Sequence, residues 1–323
     1  MVYIPGLGGS SFPGGLAGVP GPAGPAGADG ADGSGGGSGV STAGGRLTTV
    51  SNTPILTTTQ LAKTILYYTP FTGNQIALYS GGAWSVVTFA ETSLSLSGYT
   101  ASRNYDIWGY NNAGSLALES TIWTNDTTRA TALTTQDGIY CKTGDTTRRY
   151  LGTVRINATG GQIDWVVGAI GAGGNEAKFT IWNENNRVLV SAVNGDSANS
   201  WTHGNDSTWS AASSTVKVSF VLGRLVEQIE AEVTNKPATP TSTFGSVAVG
   251  LNSTSTPASN QLLSYNYPTI TTSDIRSRWV GLPTSAGFGY VQALDYSQGG
   301  ISTFYGDNNL TFLQTGMLFR GWF

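Results

Sequence analysis

Residues 74–89 read NQIALYSGGAWSVVTF, two short runs of alternating apolar and polar residues around Ser80-Gly81-Gly82. Glycine reaches positive φ without steric cost, so the centre supplies the turn and the flanks supply the strands of a tight hairpin. The same period of two recurs along the chain and sets its class. KTILYYT (63–69) reads as a strand, and NYDIWGY (104–110) alternates Tyr105 and Ile107 against Trp108 and Tyr110. Turn chemistry at Gln136-Asp137-Gly138 and Thr143-Gly144-Asp145 brackets a strand at 139–142, and another follows at 150–156. Further strands are expected at 177–184, 187–193, 216–223, 245–252, 287–297, 300–306 and 316–323. The segment GRLVEQIEAEV (223–233) fits a helical face through Leu225, Val226, Ile229 and Val233. It also fits a strand in which Ile229, Ala231 and Val233 alternate with Glu230 and Glu232, and its all-strand surroundings favour the strand.

The composition agrees with an all-β fold. Of 323 residues only 11% are charged, 45 are glycine and 11% are aromatic, a mix suited to short strands and tight turns. A net charge of −3 with scattered Lys and Arg argues against nucleic acid as a partner. No apolar run approaches the roughly 20 residues that span a bilayer, so membrane insertion is not expected. The lone Cys141 excludes an internal disulfide framework, and the lone His203 excludes multi-histidine metal sites; no cofactor is expected.

Upstream, the period changes to three. GLAGVPGPAGPAGADGADG places Gly15, Gly18, Gly21, Gly24, Gly27, Gly30 and Gly33 in strict phase, with proline between. Three polyproline-II strands wound on one axis require that spacing, because only glycine fits at the axis. Six triplets make a rod only about 55 Å long, too short to offset the ordering entropy of three chains alone. The expectation is a homotrimer whose C-terminal head holds the register. The domain plan is a mildly apolar leader (1–14), a collagen-like triple helix (15–33), a Gly/Ser-rich linker (34–46), a β-rich region (47–158) and a C-terminal β-sandwich or jelly-roll-like head (159–323). In the β-rich region, Tyr99 and Tyr105 sit six apart in a partly fibronectin-III-like tyrosine-corner pattern. Whether 47–323 is one domain or two stays open. The final strand carries Met317, Phe319 and Phe323 on one face and Leu318 and Trp322 on the other. Met317, Phe319, Trp322 and Phe323 are therefore candidates for a trimer core.

These segments carry a resemblance. The collagen-like stretch leads into LYYTPFTGNQIALYSGGAW (66–84), a block from 105 to 156 containing QDGIYCKTGDTTRRYLGTVR, FTIWNENNRV (179–188) and SAGFGYVQALDYSQGGISTFYGD (285–307). Together they resemble the fibre and spike proteins of tailed bacteriophages, over most of residues 60–310. The resemblance implies a virion surface fibre made in the host cytoplasm, its N-terminus on a virion structural protein and its β head outward. It leaves tail and capsid as alternative locations.

Nine tryptophans in a weakly charged β protein point to carbohydrate, since indole faces stack on sugar C–H faces and amides bond the hydroxyls. The loop DSANSWTHGNDSTWSAASS (196–214) holds Trp201, His203 and Trp209 beside Asn199, Asn205 and Asp206. A second candidate is the C-terminal hairpin with Tyr296, Tyr305, Asp307 and Asn308. Against both stands the alternative that these aromatics fold back onto the core. Arg148-Arg149 invites an acidic glycan, against a solvated turn or an ion pair to Asp145. Asp295 and Asp307 could face one another across the 287–306 hairpin as a carboxylate pair for glycoside hydrolysis, as could many pairs in any sandwich, yet no catalytic motif accompanies them and His203 lacks a nucleophile elbow. Asp307-Asn308-Asn309 fits a turn better than a calcium loop. The expected function is host-surface attachment without enzymatic activity. The alternatives are a decoration fibre lacking a receptor and a tail-associated polysaccharide-degrading enzyme.

Overall fold

The computed structural model of the chain describes residues 41–169, 175–204, 206–266, 274–307 and 315–323. The leader, the seven phased glycines and most of the linker lie outside the described residues, as do Asn205, Asn308 and Asn309. Within the described residues the 74–89 stretch is the hairpin its sequence predicts. Gln75–Ser80 pairs with Ala83–Thr88 from Gln75↔Thr88 to Ser80↔Ala83, across a two-residue turn in which Gly81 and Gly82 have φ of 62° and 84°. Strands and turns make up the described residues, and no helix occurs among them. The chain is all-β.

In the first large sheet Asn104–Asn112 lies between Ser115–Ile122 and Asp145–Arg155, and Ile139–Lys142 and Leu133–Gln136 extend the far edge. Asn104–Asn112 is buried on both faces over its first six residues, so the alternation expected there becomes a doubly covered central strand. At its entry the Tyr105 hydroxyl accepts the Thr100 N–H at 2.8 Å, and the Tyr99 ring stacks on Tyr105 with centroids 4.3 Å apart. That hydrogen bond ties the start of the strand to the turn before it.

Residues 177–184 differ from expectation. Ala177–Phe179 pairs in parallel with Lys217–Leu222 in a second sheet, whereas Ile181–Asn183 pairs with Asp145–Arg155 of the first. One apolar run thus serves two sheets, changing over at Thr180, whose hydroxyl donates to the Asp164 carbonyl. The second sheet runs Ala177–Phe179, Lys217–Leu222, Gly287–Gln298, Phe244–Leu251, Ser264–Asn266, with Trp209–Ala211 on the far end of Gly287–Gln298. A third sheet orders Leu189–Gly195, Gly316–Trp322, Ile229–Asn235 and Ile275–Gly281. The ambiguous 223–233 segment resolves here, because Ile229–Asn235 alternates strictly between buried and half-buried positions.

The second and third sheets meet through stacked rings. Phe319 lies 5.5 Å from Phe179 and 5.8 Å from Phe220, and Phe323 lies 5.4 Å from Phe179. One apolar core continues from there through Trp182, Tyr150 and Trp108 into the first sheet. From residue 41 onward the described residues form one compact unit. Arg129 fastens the first sheet to the loop after Lys217–Leu222. It pairs with Asp106 at 2.7 Å and donates to the Gly223 carbonyl.

Candidate functional site

The loop 196–214 is two short strands that leave in different directions. Ser200–His203 pairs with Ser302–Tyr305, whereas Trp209–Ala211 pairs with Gly287–Gln298, setting Trp209 opposite Tyr296 and Ser210 opposite Asp295. The two tryptophans consequently have different fates. Trp201 turns inward, stacks on Phe304 at 6.4 Å and donates its Nε1–H to Asp295 Oδ2 at 2.7 Å. Trp209 packs outward beside Tyr296, ring centroids 5.0 Å apart.

His203 is 5% exposed and Asp295 1%. His203 Nδ1 lies 2.7 Å from Asp295 Oδ1, and its Nε2 lies 3.2 Å from Asp206. The hydrogen bond to Asp295 raises the imidazole pKa above its ordinary value, burial opposes this in part, and Asp206 adds to the rise. His203 therefore bridges two aspartates, one at each ring nitrogen. Ser210 Oγ approaches the same Nδ1 at 3.1 Å and Asp295 at 3.3 Å. Ser210 and Asp295 thus share Nδ1, and Asp206 takes Nε2. Asp295 and Asp307 are both buried, and both Asp295 oxygens are engaged by Trp201, His203 and Ser210. Burial pushes the Cys141 thiol up to about 11, leaving it a poor nucleophile near neutral pH.

The arginine pair is spoken for. Arg148 lies 2.8 Å from Glu119, 3.7 Å from Asp145 and over the Tyr110 ring. Arg149 is fully buried, not solvated, and donates to the carbonyls of Thr42 and Ala77. Of the four residues expected at a trimer core, Met317, Phe319 and Phe323 are enclosed by their own chain, and only Trp322, 42% exposed, presents surface.

The outer face of the second sheet gathers what the sequence scatters. Register places Trp209, Tyr296, Ser246 and Tyr265 in one cross-strand rank, spanning about 14 Å at the usual strand spacing. Phe244 lies two residues before Ser246 on the same face, 6.0 Å from Tyr265. Tyr265 is 57% exposed and Phe244 36%. The Tyr296 hydroxyl donates to Gln298 at 3.1 Å, so hydrogen-bonding groups line the rings. Trp209 and Tyr296 were candidates from sequence; Tyr305, half-buried opposite Ser200 in another sheet, does not join them. Phe244 and Tyr265 escaped notice because no local pattern ties them to Trp209. Among the described residues no cluster of three or more His, Cys, Asp or Glu side chains is arranged to hold a metal, and no helix is long and apolar enough to cross a membrane.

No family model matches the sequence, and no curated protein matches it. Among solved structures, the insecticidal delta-endotoxin Cry8Ea1 of Bacillus thuringiensis aligns at 7% identity and a TM-score of 0.21, over 86% of this chain and 51% of the toxin. A Bacillus thuringiensis Cry1Da tryptic core variant aligns at 7% identity and 0.21, over 80% and 48%. Infectious bursal disease virus, Gx strain, aligns at 13% identity and 0.15, over 81% and 73%. The chain spans about half the length of the two toxin structures, and likeness this slight carries no argument about fold or activity.

Proposed function

We propose that the chain is a surface fibre of a bacteriophage particle that attaches to host-surface glycan. In this reading it is a homotrimer with a short collagen-like triple helix and a jelly-roll-like β head, and it has no enzymatic activity. The aromatic cluster of Trp209 and Tyr296, both half-buried, with the exposed Tyr265 and Phe244 on the same face, carries the proposal. Rings gathered on one sheet face offer stacking surfaces to sugar rings, and Gln298 and the tyrosine hydroxyls are available to the sugar hydroxyls. The period-three glycines support the trimer. Three ranks on one particle multiply weak contacts into avidity without any new contact.

The test uses the full-length chain, fluorescently labelled, on candidate host cells, with inhibition of particle adsorption scored in parallel and the number of chains measured by sedimentation. A trimer that binds saturably and blocks adsorption is expected, and Trp209→Ala with Tyr265→Ala should weaken binding about tenfold, near 1.4 kcal/mol. A trimer that neither binds nor blocks is a decoration fibre, and the proposal fails. Release of reducing ends from host capsule would make it a polysaccharide-degrading enzyme instead.

A further inference from the structure

A second surface, remote in register from the aromatic rank, has the chemistry of a site. The two lie at opposite ends of Gly287–Gln298, one around Tyr296 and the other around Phe288. A groove of about 280 Å³ is lined by Arg155, Asp164, Glu176, Lys178, Lys217 and Phe288, with smaller polar residues between them. It lies where the chain crosses from the first sheet to the second. Arg155 comes from a strand of the first sheet, and Lys178, Lys217 and Phe288 from neighbouring strands of the second.

Its charges are unequally satisfied. Arg155 is paired with Asp126, bonded to Asn104 and seated over the Phe288 ring at 4.1 Å. Lys217 is paired with Glu176 at 3.2 Å and lies 4.6 Å from the Tyr290 ring centroid. Lys178 has no carboxylate within ion-pair distance among the described residues, although it lines the same groove. Asp164 uses one oxygen, Oδ1, for the Ala62 N–H at 2.9 Å and Asn157 at 3.1 Å. Glu176 likewise uses Oε1 for Lys217 and Ser219. The other oxygen of each carboxylate makes no hydrogen bond among the described residues. The groove therefore offers one uncommitted cation, two acceptor oxygens and a half-buried aromatic ring.

We infer that this groove binds an acidic saccharide, its carboxylate or phosphate on Lys178 and its hydroxyls on Asp164 and Glu176. The mixed signs select the class. A dense polyanion would meet two carboxylates and a chain of net charge −3, whereas a neutral sugar leaves Lys178 unused. A sugar carrying an isolated anionic group satisfies all three. The inference rests on the glycan-binding reading in taking a saccharide as ligand, but on different residues.

The experiment titrates full-length protein with a maltohexaose bearing a single uronate, with a maltohexaose bearing a single phosphate and with neutral maltohexaose, by calorimetry at two salt concentrations. Binding of an anionic probe is expected, weakened by salt and at least about tenfold by Lys178→Gln, largely restored by Lys178→Arg, and indifferent to Trp209→Ala. The two anionic arms tell carboxylate from phosphate. Binding that Lys178→Gln leaves unchanged, or failure of both anionic probes with a folded protein, overturns the inference. Should both probes fail while Trp209-dependent cell binding persists, the groove is refuted and the fibre proposal is not. Lys178-dependent binding by a protein that ignores host cells refutes the fibre proposal alone.

Discussion

Replacing Arg129 with methionine tests whether the first two sheets are locked by a buried charge. Arg129 Nε and Nη2 lie 2.7 and 3.3 Å from the two Asp106 oxygens, Nη2 lies 3.1 Å from the Tyr150 hydroxyl, and the guanidinium sits 4.3 Å from the Trp123 ring centroid. The Asp106 side chain is 2% exposed and that of Arg129 16%. Methionine keeps much of the packing and removes every polar contact from Arg129, leaving the buried Asp106 carboxylate without its cation and with the Thr153 hydroxyl at 2.7 Å. Breaking a buried pair from one side costs about 3–5 kcal/mol, and Tm should fall by roughly 6–10 °C at about 2 °C per kcal/mol for a unit this large. Urea unfolding followed by tryptophan fluorescence reads the change directly, since Trp108, Trp123 and Trp182 are all buried in or beside this cluster. Adding Asp106→Leu should recover at least half of the loss, because the stranded charge goes with it. Burial already raises the Asp106 carboxyl above its ordinary value despite Arg129 beside it, and the variant raises it further. The deficit should thus be full at neutral pH and shrink as pH falls through that raised value. A loss under about 1 kcal/mol, the worth of a surface pair, or a double variant no better than the sum of the singles, would refute the reasoning.

The remaining predictions concern His203, Gly223 and the aromatic rank. The His203 pKa is raised above 6.5, so its contribution is complete below 6.5 and is lost as pH rises through the folded value. In urea titrations across pH, His203→Gln should flatten that dependence, most visibly in the fluorescence of Trp201, which shares Asp295. A Cβ at Gly223 would lie 2.0 Å from the Tyr150 hydroxyl and 2.4 Å from the Trp182 ring. Both neighbours are fully buried, so Gly223→Ala should cost about 1–3 kcal/mol or more by overpacking, read as a lowered urea midpoint. Tyr265→Ala should leave that midpoint within about 0.5 kcal/mol, because the ring is mostly exposed; loss of glycan binding without loss of stability would then assign Tyr265 to recognition.

Strand content, hairpins and turns were legible because their causes are local. Gly81-Gly82 needs nothing beyond its neighbours to turn the chain, and Ile229, Ala231 and Val233 mark a strand by period alone. The Tyr105 hydroxyl accepts the Thr100 N–H, a contact only five residues long. Positions whose meaning depends on a distant partner were not legible. Arg149 looks like a surface charge until Asp145–Arg155 lies between two strands and the Thr42 and Ala77 carbonyls close over it. Residues 177–184 look like one strand because an apolar run carries no sign of which sheet each half joins.

The sequence alone determined an all-β chain with a period-three glycine stretch, since both follow from spacing along one strand of polypeptide. Tertiary structure decided which face each large side chain takes. It put Met317, Phe319 and Phe323 inside and Trp322 outside, and set Trp201 against a buried aspartate and Trp209 against Tyr296. It also aligned Trp209, Ser246, Tyr265 and Tyr296 across four strands drawn from a stretch of about 90 residues. Alternation assigns a residue to one side of its own strand. Which residues share that side is set by the register between strands, and register is fixed by long-range packing that no short window of sequence contains.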